Sequence, residues 1–179
     1  MKINIIDIPE DGMNLEVSAQ ADPWFQAVVV ESFGGDYLKG AEAKLDVHLI
    51  RTGKNVQLTG GVLIDLKPAC GRCLENFDRR LEVPLHINLA PRKDLSFGED
   101  EEKELEPDDV NFSFYNGEEI DLDQIVREMT LLEIPLRYLC SEDCKGLCPQ
   151  CGKNLNQETC SCKVKPVDSR FAALQKLKL

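Results

Sequence analysis

The chain reads as an α+β protein, mainly β: an antiparallel sheet or partial barrel with one or two packed helices and a cysteine-rich C-terminal tail. Three observations predict it. Apolar and polar residues alternate through much of the first ninety positions, one clear helical stripe lies between Asp121 and Pro135, and eight cysteines fall in four close couples, three of them from Cys140 onward. At 179 residues with 42% hydrophobic content, the chain suffices for one ordinary domain with a small appendage.

Taken in order, short strands are expected near Ile3 to Ile8, Asn14 to Ala19 and Ala27 to Val30. Leu45, Val47 and Leu49 alternate with polar neighbours, as do Val56, Leu58, Val62, Ile64 and Leu66, and Thr52-Gly53-Lys54-Asn55 between them reads as a hairpin turn. A third run repeats the pattern at Leu81, Val83, Leu85, Ile87 and Leu89. Residues 98 to 109, GEDEEKELEPDD, hold eight acidic residues, one lysine and almost no apolar side chains, cannot offset ordering entropy by burial, and are expected to be a mobile acidic loop. A further strand is expected from Val110 to Phe114, with Asn116-Gly117 as a turn. Asp121 then caps a helix in which Leu122, Ile125, Val126, Met129 and Leu132 recur at helical spacing until Pro135. A last helix is expected over Val167 to Leu177, capped by Asp168. The expected division is a β body over 1–97 with the first cysteine knuckle, the acidic loop over 98–109, a strand and helix over 110–139, and a cysteine-rich segment with a helix over 140–179.

The cysteine couples are Cys70 with Cys73, Cys140 with Cys144, Cys148 with Cys151, and Cys160 with Cys162. Thiolates two to four residues apart can turn two sulfurs toward one tetrahedral ion, and zinc is the usual occupant of an all-thiolate site with no open position. Eight cysteines make two such sites, so two zinc ions are expected. The form Cys148-Pro149-Gln150-Cys151-Gly152 is that of a zinc knuckle, and Cys160 and Cys162 follow at short loop-closure cost. That leaves Cys70 and Cys73 to meet Cys140 and Cys144 across sixty-six intervening residues. A cluster formed by the six tail cysteines alone is a weaker alternative, since it strands Cys70 and Cys73. A disulfide framework is the other competitor. Against it, the start MKINIIDIPEDG lacks the basic and long apolar segments of a secretory signal, and no run approaches the ~20 apolar residues of a membrane span. A cytoplasmic protein with reduced thiols and no membrane partner is the expectation.

The formal net charge of −11 argues against a broadly basic nucleic-acid binder, but the charge is uneven. From Lys145 onward seven basic residues face two acidic ones, a balance of +5, and the preceding residues carry −16. Lys163, Lys165, Arg170 and Lys176 are therefore the candidates for contact with RNA or a partner. Catalytic residues are not expected: His48 and His86, the two histidines, fall on the polar phase of strands, and no phosphate-binding glycine loop, HExxH helix or Ser-His-Asp order is present. Paired carboxylates holding magnesium are a weaker alternative, because no spaced cluster stands out from the acidic background.

The central Cys70-Gly71-Arg72-Cys73-Leu74, the helix from Ile120-Asp121-Leu122 to Pro135-Leu136, the tail from Leu139-Cys140 through Cys148-Pro149-Gln150-Cys151-Gly152 to Asn156, and the closing Asp168-Ser169-Arg170-Phe171-Ala172-Ala173-Leu174 stand in one order. In that order the chain resembles the YceD family of large ribosomal RNA subunit accumulation proteins. The resemblance implies a non-enzymatic role in the synthesis, processing or stability of large-subunit (23S) ribosomal RNA, with that RNA or a pre-ribosomal particle as partner and no small-molecule substrate. Two other functions stay open on the residues themselves. One is a thiol redox or zinc-sensing protein. The other is an acidic interaction module that binds a basic ribosomal protein.

Overall fold

The computed structural model describes residues 1–38, 40–92 and 112–162. The acidic segment 98–109, the expected last helix over 167–177, and Lys163, Lys165, Arg170 and Lys176 lie outside the described residues. Seven strands are described, β1 (Lys2–Asn4), β2 (Met13–Ser18), β3 (Ala43–Thr52), β4 (Asn55–Leu66), β5 (Arg79–Pro91), β6 (Phe112–Tyr115) and β7 (Glu119–Asp121), with two α-helices, α1 (Pro23–Phe33) and α2 (Leu122–Glu133). The main sheet has the order β2-β3-β4-β5-β6 and is open; β1 and β7 pair antiparallel in a small second sheet. The expected α+β, mainly β class holds.

Side-chain alternation explains the main sheet. Ala43, Leu45, Val47 and Leu49 of β3, Val56, Leu58, Val62, Ile64 and Leu66 of β4, and Leu81, Val83, Leu85, Ile87 and Leu89 of β5 are all buried, and the residues between them face outward. The register keeps these sets opposed, with Leu45 against Val62, Leu49 against Leu58, and Val62 against Val83. One glycine is required rather than tolerated. Gly60 lies opposite Val47 at φ 141°, and a Cβ there would stand 2.1 Å from the Asp46 carbonyl oxygen.

Two expectations are corrected. Ala27 to Val30 is part of α1, not a strand. Pro23 sets the first turn, and Phe25, Val28, Val29 and Phe33 return at helical spacing to a buried face, so tertiary burial outweighs the strand preference of three successive valines. Of Ile3 to Ile8, Ile3 and Asn4 fall in β1, and Ile5–Asp7 form a 3-10 turn held by the Asn4 side chain, which accepts from the Ile6 amide. The main sheet is mixed: β2 to β5 pair antiparallel, but β6 runs parallel to β5, with Leu89 beside Ser113. Two consecutive strands joined by a tight turn pair antiparallel, whereas 20 residues separate β5 from β6, more than the roughly one dozen that a parallel pairing needs.

The predicted helix is present as α2, where Asp121 accepts from the Gln124 amide at 3.4 Å. Leu122, Ile125 and Val126 are buried, and α2 packs against both α1 and β5. Among the described residues, no helix is long and apolar enough to cross a membrane. Functionally, the important consequence of this layout is where α2 ends. The chain leaves it at Ile134 in extended conformation and runs to the loop that joins β4 to β5.

Candidate metal centres

The β4–β5 connection is a folded knuckle. The Cys70 amide donates to Glu75 O at 2.9 Å and the Leu74 amide to Cys70 O at 2.9 Å, closing a tight turn in which Leu74 takes φ 60°. It is the one non-glycine residue with positive φ among those described. This turn aims Cys70 and Cys73 the same way. The segment after α2 docks beside it: the Gly71 amide donates to Tyr138 O at 2.8 Å, and Leu139 and Phe77 pack on the buried cysteines. Cys140 and Cys144 thereby arrive opposite Cys70 and Cys73.

The sulfurs of Cys70, Cys73, Cys140 and Cys144 all lie within 4.8 Å of one another, and those of Cys148, Cys151, Cys160 and Cys162 form a second such group. Cys70 and Cys144 are 3.8 Å apart, and Cys73 and Cys140 are 3.7 Å apart. Four sulfurs about 2.3 Å from one ion at tetrahedral angles stand about 3.8 Å from each other. A disulfide requires a separation of about 2.05 Å. The spacing therefore suits an ion, and the donor set of four thiols suits a soft or borderline cation over calcium or magnesium. The grouping is the one expected from the sequence, and the six-cysteine tail cluster does not form.

The two centres differ in exposure. In the first, Cys70, Cys73 and Cys144 are buried; in the second, Cys148 alone is, with Cys160 half-buried and Cys151 and Cys162 exposed. The second centre is built on a small ribbon in which the Cys148 amide donates to Lys153 O at 2.8 Å, Leu147 bridges Asn154, and the Gly152 amide returns to Cys148 O at 2.9 Å.

Proton affinities within each group are split. Backbone amides, led by that of Cys140, hold the Cys70 thiol down to about 6, and the amides of Cys151 and Gln150 hold Cys148 down to about 6. In the opposite direction, a hydrogen bond shared with Cys144 and burial push Cys140 up to about 12, and a bond shared with Cys151 pushes Cys162 up to about 12. Burial raises Cys144, but hydrogen bonds from the Asn156 side chain, the Gly146 amide, Cys140 and Cys73 together outweigh it, leaving the thiol below its ordinary value. Cys70, Cys73, Cys140 and Cys144 would hold one cation and Cys148, Cys151, Cys160 and Cys162 another, and a cation held there would displace the protons that the raised thiols keep.

Two residues that spacing did not single out complete the first centre. Arg72, between its two cysteines, donates from Nη1 to Glu142 O at 2.8 Å and Cys144 O at 2.9 Å, and its own carbonyl accepts from the Leu147 amide at 3.0 Å. It ties both halves of the site together. The Asn156 Nδ2 group donates to Cys144 Sγ at 3.3 Å. Arg72 had a visible signal, its place inside the Cys70–Cys73 couple; Asn156 had only its place at the end of the family-like tail stretch. His48 is half-buried and its Nδ1 bonds to Asn14 Oδ1 at 2.6 Å, while His86 is exposed, so neither joins a cysteine group.

Residues 58–178 match the model of a family described as large ribosomal RNA subunit accumulation protein YceD. That span covers both cysteine groups and more than half of the chain. The chain belongs to the YceD family. Among its relatives, a chloroplastic YCED homolog 1 of Arabidopsis thaliana, named as a large ribosomal RNA subunit accumulation protein, is 30% identical over 166 residues, 80% of this chain and 50% of that protein. The Zea mays protein of the same name is 40% identical over 144 residues, 68% of this chain and 48% of that protein. The Bacillus subtilis protein YlbN is 36% identical over 137 residues, 76% of this chain and 72% of that protein. This YceD-family chain thus spans about half the length of its plant relatives. No solved structure matches it.

Proposed function

We propose that the chain is a non-enzymatic, zinc-stabilised cytoplasmic factor that supports accumulation of large-subunit ribosomal RNA, by contact with that RNA or with a pre-ribosomal particle. Family membership carries the RNA part of this reading. The zinc part rests on the two four-sulfur groups at tetrahedral spacing, in which the residues themselves supply all four ligands and leave no open position for a substrate. Zinc bound there supplies shape rather than reaction chemistry. Cys70, Cys73, Cys140 and Cys144 would hold one ion, and Cys148, Cys151, Cys160 and Cys162 the other. Lys163, Lys165, Arg170 and Lys176 supply the positive charge that phosphate contact needs.

One observation favours a protein partner beside the RNA. Exposed Phe112 and Leu132 flank a groove lined by His86, Ile87, Met129 and Glu128, on a body whose charge is strongly negative. An apolar groove in an acidic surface suits a basic segment such as those of ribosomal proteins.

The reading is tested by the ratio of large- to small-subunit ribosomal RNA in cells depleted of the protein at matched growth rate. A selective fall in the large-subunit RNA, restored by re-expression, is expected. An unchanged ratio would sink the RNA role and leave a two-metal protein to be traced through its partners.

A further inference from the structure

Asn156 lies between Cys151 and Cys160 in sequence, inside the loop closed by the second centre, yet its side chain bonds to a ligand of the first. The Nδ2 group donates to Cys144 Sγ at 3.3 Å and to Asn154 Oδ1 at 2.9 Å. The Oδ1 atom accepts from the Lys145 amide at 2.8 Å. The ribbon that carries it is fixed on both sides: the Leu155 amide donates to Gly146 O at 2.9 Å, and Leu147 bridges Asn154. At its far end the same ribbon forms the Cys148–Cys151 knuckle, through the Cys148 amide to Lys153 O. The approach is close, since Gly146 at φ 72° leaves no room for a side chain and a Cβ there would stand 2.9 Å from Arg72 O.

We propose that Asn156 is a positioning residue that couples the two centres, so that filling the second centre orders the ribbon, holds the Asn156 amide on the Cys144 sulfur, and raises the metal affinity of the first. This inference rests on the metal reading above. The physical basis is that an N–H bond to a metal-bound thiolate stabilises the charged form of the ligand, and that losing such an outer partner costs metal affinity about 10- to 100-fold. The coupling is reciprocal: occupancy of the first centre raises affinity at the second by the same factor. Among the described residues, no other side chain of the loop from Cys151 to Cys160 bonds to a cysteine of the first centre.

Asn156 is exposed, so substituting it leaves no buried void. Asn156→Asp keeps the acceptor for the Lys145 amide, removes the donor to Cys144, and places a negative charge beside the thiolates. The test is chelator competition on the reduced full chain with zinc, and then with cobalt(II) as a spectroscopic probe. It compares the unaltered chain, Asn156→Asp, Cys151→Ser and the double variant.

Asn156→Asp is expected to weaken zinc binding at the first centre by about 10-fold or more. In that variant the sulfur-to-cobalt charge-transfer band of the first centre moves to lower energy even at saturating metal, a change that a purely structural role for Asn156 would not produce. Cys151→Ser is expected to weaken the first centre in the same direction, and adding Asn156→Asp to it is expected to cost less than in the unaltered chain. An unchanged first-centre affinity and spectrum in Asn156→Asp would overturn the coupling while leaving both metal sites standing. Equal penalties in the presence and absence of Cys151 would also overturn it. Failure of the unaltered chain to bind metal would overturn the metal reading itself and the coupling with it.

Discussion

At the residue scale, the positions that matter most are those where spacing in the chain becomes contact in space. The cysteine grouping was legible because short couples have few ways to share four-coordinate ions, and the structure assembles the same two sets. Arg72 and Asn156 were not legible as partners, because a hydrogen bond to a carbonyl or a sulfur depends on where a distant backbone passes and not on local pattern. Gly60 gives a test at this scale. Its φ of 141° is closed to residues with a side chain, and a Cβ would collide with the backbone of β3 at Asp46. Gly60→Ala is expected to destabilise the fold by about 2–4 kcal/mol, read as a fall in the urea midpoint with an unchanged slope. A midpoint equal to that of the unaltered chain would show that β3 and β4 separate at no cost.

At the scale of elements, β3, β4 and β5 were readable because one face of each carries buried apolar residues at every second position, broken in β4 at Gly60. The parallel placement of β6 was not readable, since four residues carry no information about direction. The strand misread inside α1 has a different cause. Val28, Val29 and Val30 favour extended chain locally, and only the wider pattern from Phe25 to Phe33 reveals the helix. Helix α2 shows the opposite case, in which cap and stop agree and the stripe is buried at Leu122, Ile125 and Val126, while Leu132, expected in the core, is exposed. Its cap is testable: Asp121→Ala removes the acceptor for the Gln124 amide and is expected to cost about 1 kcal/mol, measured as a lowered thermal midpoint. A loss below a few tenths would show that pairing with Lys2 in the small sheet holds the turn without the cap.

At the scale of the whole molecule, the first centre joins the loop between β4 and β5 to the segment that follows α2, whereas the second closes only a loop of the tail. Crosslinking distant parts of a chain constrains the unfolded state more than crosslinking near neighbours, and a structural metal links its binding to folding. The two centres should therefore differ in what they hold together. The most direct measurement is zinc content per chain, taken together with the thermal midpoint, for the reduced full chain, Cys73→Ser and Cys151→Ser purified in excess zinc. Two zinc ions are expected in the unaltered chain and one in each variant, with a large fall in midpoint for Cys73→Ser and a small one for Cys151→Ser. Zinc absent from the unaltered chain, or an equal collapse of both variants, would contradict that expectation.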